Sequence, residues 1–202
     1  DNIFVVTITG TLSGSYNSAE VAKKIYLEEH PNTNIHVINS LSAGGEVDLI
    51  VRKLNQLVTE GLDFDQVVDV ITTYQSKTKL LFVLAKVDNL VKNGRLSKLI
   101  GTVVGLLNIR MVGEASKTGT LELLQKARGQ KKAIKAAFDE LIKAGYNGGH
   151  ITIAHRNNEK FIEQFSELVR EKFARANIEV LPTSGLCSFY AEEGGLLMGY
   201  EI

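Results

Sequence analysis

The sequence predicts an α/β fold, in which an incomplete N-terminal parallel α/β domain is followed by an α+β domain with a largely antiparallel sheet. Residues 2–8 form a nearly continuous apolar, β-branched run, which is typical of a strand covered on both faces. A strand, a small-residue turn and a helix then follow one another twice, as in βαβ units. From residue 80 onward, hairpin-forming strands replace this order. We therefore expect two domains, residues 1–79 and 80–202.

The elements of the first domain follow from apolar periodicity. The first strand begins at the second residue, without a methionine, so we expect the chain to be either a piece of a longer protein or a processed form. Residues 46–60 carry an apolar stripe at helical spacing and are followed by Gly61, which favours a helix end. The predicted elements of this domain are strands at 2–8 and 35–38 and helices at 16–29, 46–60 and 65–75.

The elements of the second domain alternate less regularly. Residues 109–115 and 120–124 can pair as a hairpin across a Ser-Lys-Thr-Gly turn, and residues 130–144 form a clear amphipathic helix. Residues 99–107 are apolar and interrupted by glycine. The other predicted elements are a short helix or turn at 87–94, a helix at 160–174, and strands at 80–84, 150–154, 177–181 and 196–201.

Composition excludes several classes of function. Lys plus Arg and Asp plus Glu both number 23, so no strongly basic surface points to nucleic acid. No apolar run approaches the ~18 residues of a membrane-spanning helix, so we expect at most transient contact with a membrane. Cys187 is the one cysteine in the sequence, which excludes an intramolecular disulfide and fits a cytoplasmic protein.

The turn that joins the first strand to the first helix, residues 9–15, is the most informative feature. It contains Thr9, Thr11 and Ser13 together with Gly10 and Gly14. Hydroxyls can donate hydrogen bonds, glycines let an oxygen approach the backbone, and a helix N-terminus favours negative charge. The turn is therefore either a site for a small oxyanion or an N-cap with additional hydroxyls, and its spacing alone leaves both interpretations open.

The sequence shows no recognisable catalytic centre. The four histidines lack the spacing of metal ligands, so we expect no metal and no other cofactor. Cys187 has no His or Asn neighbour in sequence, which favours an inert thiol. An α/β enzyme that uses the Ser13 or Thr11 hydroxyl on a small acidic substrate remains an alternative, although no base can be named. A fragment without independent activity is a second alternative.

Five segments in order resemble the DegV family, the bacterial fatty-acid-binding subunits of fatty acid kinase. Residues 8–16 are similar to the family's Ser-Ser-x-Leu-Ser-Gly-Thr-Tyr segment, and residues 39–45 to its Asp-Ser-x-x-x-Ser-x-Gly turn. Residues 88–95 resemble its Leu-x-x-Gly-Arg element, residues 106–110 its Leu-Leu-x-Ile-Lys-Pro run, and residues 194–200 its Gly-rich last strand. The resemblance covers essentially the whole chain.

The resemblance implies a non-catalytic carrier. The acyl chain of a long-chain fatty acid would lie in an apolar tunnel between the two domains, and a partner kinase would phosphorylate its carboxylate. Arg95 and Arg128 fall on arginines of the family that face the kinase. The ligand-binding residues that the resemblance and the first turn together imply are Thr9, Gly10, Thr11, Ser13, Gly14, Ser40 and Tyr190.

Some residues depart from the family pattern. Gly10 replaces the second serine of the Ser-Ser pair, and Tyr190 replaces the C-terminal histidine. Glu192 replaces a glycine close to the expected headgroup site. Two like charges ~4 Å apart repel by about 4 kcal/mol at an effective dielectric constant of 20. Either the Glu192 carboxylate points away from the site, or the ligand differs.

Overall fold

The computed structural model describes residues 1–96 and 108–202. The first part of the chain builds a small parallel sheet, sheet A, from β1 (Asn2–Thr7) and β2 (Asn34–Asn39), with Asn2 opposite Asn34. Three helices accompany these strands: α1 (Ser15–Glu29), α2 (Gly45–Thr59) and α3 (Phe64–Gln75). A capping box between Asp63 and Gln66 fixes the start of α3.

The second part builds sheet B, a six-stranded sheet in the order β5-β4-β3-β8-β6-β7. Neighbouring strands are antiparallel except β6 and β7, which are parallel and joined by a helix. Its strands are β3 (Thr78–Leu84), β4 (Ile109–Ala115), β5 (Leu121–Arg128), β6 (His150–His155), β7 (Asn177–Pro182) and β8 (Leu196–Glu201).

Among the described residues of this part, four further helices are present: α4 (Asp88–Lys92), α5 (Gln130–Lys143), α6 (Glu159–Lys172) and α7 (Gly185–Ala191). Helices α5 and α6 cover one face of sheet B and bury the main core, in which Leu141, Phe161 and Phe165 are fully buried. The opposite face of the sheet carries a second cluster that includes Phe82, Leu84 and Met111.

In sequence, helix α2 follows the second strand of sheet A, but its first residue packs directly on sheet B. Gly45, its first residue, lies so close to β6 and β8 that a Cβ would overlap the Thr152 carbonyl oxygen. A Cβ on Gly199 of β8 would likewise overlap the backbone nitrogen of Glu46. The two parts of the molecule therefore meet through backbone atoms, which only glycine permits at these positions.

The predicted fold class is confirmed, with a parallel sheet followed by a largely antiparallel one. Strand β5 extends four residues beyond its prediction, and α7 was not predicted. The apolar segment 99–107, and with it residues 106 and 107 of one family motif, lies outside the described residues. The division near residue 79 stays a prediction, although sheet B begins at Thr78.

Candidate functional site

An apolar cavity of about 110 Å³ lies between the turn after β1 and the face of sheet B that α5 and α6 leave uncovered. Three strands of sheet B contribute to its wall: β3 with Phe82 and Leu84, β8 with Leu197, and β5 with Leu121. The remaining described lining residues come from the turns after β1 and β2, from α4 and the residues that follow it, and from α7. They are Ile8, Leu12, Ser13, Ala43, Leu90, Arg95, Leu186, Cys187, Tyr190 and Ala191. Such a wall suits an apolar ligand.

The polar atoms of the described cavity wall come from Ser13, Arg95, Cys187 and Tyr190. The Ser13 hydroxyl accepts a hydrogen bond from the Ser15 backbone N–H at 3.2 Å, which leaves its own hydrogen available to a ligand. The Arg95 Nε donates to the Leu12 carbonyl at 3.2 Å, and its Nη1 donates to the Asn93 carbonyl. These bonds hold the Arg95 guanidinium against the turn that contains Ser13.

The other residues of the predicted turn make internal contacts. Thr9 is fully buried, and its hydroxyl is 2.9 Å from that of Thr11. The Thr11 hydroxyl in turn donates to the Gly119 carbonyl at 2.7 Å. The Gly10 N–H donates to the Asn39 side-chain oxygen at 3.1 Å. Of the turn residues that were predicted to bind a headgroup, Ser13 therefore lines the cavity, whereas the hydroxyls of Thr9 and Thr11 are already paired.

The remaining predicted residues are distributed around this site. Tyr190 lines the cavity from α7, and Gly14 is the N-cap of α1, where an added Cβ would meet no atom within 4 Å. Ser40 is buried, donates to the Ser42 carbonyl at 3.1 Å and lines a second, polar cavity of about 750 Å³. Arg128 is exposed at the end of β5. None of these positions tests the predicted binding roles, which stay predictions.

Glu192 is not among the described residues that line the cavity. It adopts a left-handed backbone conformation, with φ of 53°, and its carboxylate accepts a hydrogen bond from the Asn89 backbone N–H at 2.9 Å. A carboxylate at the start of α4 satisfies a free N–H group of that helix. The Glu192 carboxylate therefore has a hydrogen-bond partner of its own, and where it lies relative to a ligand headgroup stays a prediction.

Two parts of the site were missed by sequence reasoning. Helix α7 forms one wall of the cavity and brings Cys187 into it, but its seven residues are too few for a periodic signal. Burial raises the pKa of the Cys187 thiol, which keeps it protonated at neutral pH. The second is Gly119, which lies 108 residues beyond its partner Thr11, so that no local pattern could connect them.

The described residues include no group of His, Cys, Asp and Glu side chains that could hold a metal ion. Within residues 1–96 and 108–202, no helix is both long enough and apolar enough to cross a membrane.

The fold and the cavity define a class of α/β proteins in which a small parallel sheet and a larger mixed sheet enclose an apolar cavity. The chain belongs to the DegV family, whose model, described as an uncharacterised protein family, matches residues 1–200. A DegV domain-containing protein of Streptococcus gordonii is 79% identical over 202 residues, which are 100% of this chain and 72% of the relative. A DegV domain-containing protein of Streptococcus pneumoniae is 77% identical over 201 residues, with the same coverage.

Solved structures of this family were determined with fatty acids bound. The fatty acid kinase B3 protein of Streptococcus pneumoniae, loaded with linoleic acid, has a TM-score of 0.98 and 77% identity over 100% of this chain and 72% of its own. A DegV family protein of Eubacterium eligens, loaded with heptadecanoic acid, has a TM-score of 0.96 and 40% identity over 100% of this chain and 73% of its own.

Proposed function

We propose that this chain binds a long-chain fatty acid in a tunnel between its two domains and presents the carboxylate to a partner kinase, which converts it to an acyl phosphate. The observation that carries the proposal is the apolar cavity with Ser13 and Arg95 on one side. Homologues that were crystallised with linoleic and heptadecanoic acids support the choice of ligand.

The energetics of the cavity favour such a ligand. Each methylene that leaves water contributes about 0.8 kcal/mol, so a long acyl chain supplies affinity without many polar contacts. The carboxylate loses its hydration in return and needs hydrogen bonds. The Ser13 hydroxyl can donate one, and a charge-assisted contact with the Arg95 guanidinium is about twice as strong as a neutral hydrogen bond. We therefore orient the carboxylate toward the turn after β1.

We propose a carrier rather than an enzyme. Nucleophilic use of the Ser13 hydroxyl would need an adjacent base. The described wall of the cavity contains no His, Asp, Glu or Lys, and the Ser13 oxygen is hydrogen-bonded to the Ser15 N–H. The chemistry would then belong to the partner kinase. We propose the cytoplasm as its location, since a single thiol such as Cys187 stays reduced there.

The binding step can be tested with the native thiol. Cys187 is the one cysteine of the sequence and lines the cavity, so the rate at which a thiol reagent labels it should report occupancy. Oleate at ten times its Kd should slow labelling about tenfold, because only the empty fraction reacts. Acetate, which has the same headgroup without the chain, should leave the rate unchanged. An unchanged rate with oleate, together with native mass spectra free of fatty acid, would refute the proposal.

The presentation step can be tested separately with arginine variants. Arg128 is exposed and lies outside the cavity wall, so Arg128→Ala should keep oleate binding but lower acyl phosphate formation by a bacterial fatty acid kinase at least about tenfold. Arg175→Ala, an exposed arginine beyond the end of α6, is the matched control and should behave as wild type. Equal turnover of the Arg128→Ala and Arg175→Ala variants would contradict a kinase-facing role for Arg128.

A further inference from the structure

The polar cavity is a second space in the molecule, and it shares no described lining residue with the apolar cavity. Its volume of about 750 Å³ lies within the ~300–1,000 Å³ range that is typical of small-molecule sites. Its described wall is built by the turn after β2, the start of α2, the junction of α3 and β3, and the β4–β5 hairpin. The fatty acid function proposed above makes no use of this cavity.

Glu46 is the most deeply buried charged side chain of this described wall. It is 5% exposed, and it borders the cavity from the first turn of α2. The Thr78 hydroxyl, a neutral donor, bonds to its Oε1 at 2.7 Å. No ion pair among the described residues involves Glu46. Because buried carboxylates are normally paired with a cation, the wall lacks a positive charge that a ligand can supply.

The other charged residues of the wall do not supply this charge. Glu114 and Glu122 lie directly opposite each other on β4 and β5, so the hairpin adds two further carboxylates. Lys79 and Lys117 also border the cavity, but neither forms an ion pair with a carboxylate of the described residues. Three glutamates and two lysines give the described wall a net charge of −1. A ligand with a single positive charge neutralises it.

The uncharged polar side chains of the wall use their hydrogens inside the protein. The Gln75 side-chain amide donates to the Asn39 carbonyl at 2.6 Å, and the Ser76 hydroxyl donates to the Thr73 carbonyl at 2.7 Å. Their side-chain oxygens, like that of Thr78, remain able to accept a hydrogen bond. The junction of α3 and β3 therefore presents acceptors, which suit a ligand that is rich in N–H and O–H groups.

We propose that the polar cavity is a second binding site, which takes a small polyhydroxylated amine, such as an amino sugar, by pairing its ammonium group with the Glu46 carboxylate. The hydroxyls of the ligand donate to the acceptors at the junction of α3 and β3. The ammonium favours the ionised form of Glu46, because a nearby positive charge stabilises a carboxylate. A fatty acid is disfavoured at this site, because its carboxylate would meet that of Glu46.

Isothermal titration calorimetry of the wild-type chain, with glucosamine as the probe, tests the site. Glucosamine carries a protonated amine and several hydroxyls at neutral pH, so we expect saturable binding. N-acetylglucosamine is the matched control, because acetylation removes the charge and keeps the hydroxyls. Its Kd should be at least about tenfold higher, the loss that corresponds to one hydrogen bond to a charged group. No saturable binding of glucosamine, or equal Kd values for the two sugars, overturns the proposal.

Variants locate the bound amine. Glu46→Gln removes the charge but keeps an acceptor for Thr78, so it should raise the Kd for glucosamine at least about tenfold. Glu163→Gln is the matched control and should bind as wild type does, because Glu163 is exposed on α6 outside the cavity wall. Urea unfolding of Glu46→Gln verifies that the variant is folded. A folded Glu46→Gln variant that binds glucosamine as tightly as wild type overturns the proposal.

Labelling of Cys187 separates this site from the fatty acid site. Cys187 lines the apolar cavity and not the polar one, so saturating glucosamine should leave its labelling rate unchanged. Protection of Cys187 by glucosamine would place the amine in the apolar cavity and overturn the polar site. If glucosamine binds to wild type and not to Glu46→Gln, the polar site stands even where oleate fails to protect Cys187.

Discussion

At the scale of single residues, Glu46 is the most unusual side chain at the contact between the two parts. It lies in the first turn of α2, is 5% exposed, and accepts a hydrogen bond from the Thr78 hydroxyl at 2.7 Å. Burial raises the pKa of Glu46 above its ordinary value of 4.5, and the bond from Thr78 offsets only part of this. Folding therefore favours the protonated carboxyl.

The raised pKa of Glu46 predicts a pH dependence of stability. Between pH 4.5 and the raised folded pKa, the folded state binds more protons than the unfolded state, so the free energy of unfolding falls as pH rises through this window. Glu46→Gln removes the charge but keeps an acceptor for Thr78. It should be more stable than wild type at neutral pH, with the difference disappearing as pH is lowered toward 4.5.

Urea unfolding at a series of pH values measures this difference. Glu122→Gln is the matched control, because Glu122 borders the same polar cavity but is exposed. Because Glu122 is exposed, Glu122→Gln should not show the stabilisation at neutral pH that we expect for Glu46→Gln. A Glu46→Gln variant that is less stable than wild type at neutral pH would mean that the carboxylate stabilises the fold.

At the scale of secondary structure, the start of α2 depends on two glycines. Gly45 and Gly199 let the helix begin on the backbone of β6 and β8. Gly44, just before, adopts φ of 57° and lies against Leu197 of the cavity wall. The packing of α2 on sheet B therefore sets one boundary of the apolar cavity as well as the contact between the two parts.

A pair of glycine variants tests this packing. Gly199→Ala should destabilise the protein by about 1–3 kcal/mol or more, because its Cβ overlaps the Glu46 backbone and the helix must shift. Gly14→Ala is the control, since Gly14 has φ of −70° and a Cβ added there would meet no atom within 4 Å. It should change the free energy of unfolding by less than about 1 kcal/mol, because the smaller entropy of Ala in the unfolded state is opposed by its poorer preference for the N-cap. Urea unfolding compares the two, and equal stabilities would contradict the close packing.

At the scale of the whole molecule, the two sheets differ in how well they are supported. Sheet A has two strands in the part of the chain that the structure describes, and α1 has no buried residue. Apolar side chains of α1 are exposed, among them Val21, Ile25 and Tyr26. Sheet B has six strands and the largest buried core. Two-stranded sheets contribute little stability of their own.

This difference predicts unequal local stability. Amide hydrogens of β1 and β2 should exchange with solvent faster than those of β3 and β8, because α1 and sheet A open without unfolding sheet B. Hydrogen exchange followed by mass spectrometry, read on peptides covering 2–39 and 78–84, measures it. Equal protection of both sets of amides would show that the molecule opens as one unit.

The sequence predicted most of the fold, because the strongly periodic segments dominate it. Helices α2, α5 and α6 carry continuous apolar stripes, and residues 2–8 are apolar throughout except for Asn2 and Thr7. Helix α7 was not predicted, because its seven residues are too few to show a helical period. The bulge between Val112 and Gly113 also has no signal beyond the glycine itself.

The candidate site was harder to predict, since its geometry depends on contacts between distant segments. The turn after β1 was proposed as a binding site from its hydroxyls and glycines, and that role stays a prediction. The Gly119 carbonyl accepts from the Thr11 hydroxyl, and the Glu192 carboxylate accepts from the Asn89 N–H. Each contact joins residues about a hundred positions apart in the sequence, so no local pattern predicts it. Arg95 was assigned to a partner through family resemblance, and the structure adds that it lines the cavity.

The interlocked glycines of α2 and β8 have a mechanical consequence. A hinge that swung sheet A away from sheet B would pull the Gly45 backbone out of contact with Thr152 and Gly199 and expose the buried start of α2 to water. A hinge motion that separates sheet A from sheet B is therefore an energetically unfavourable way to open the cavity.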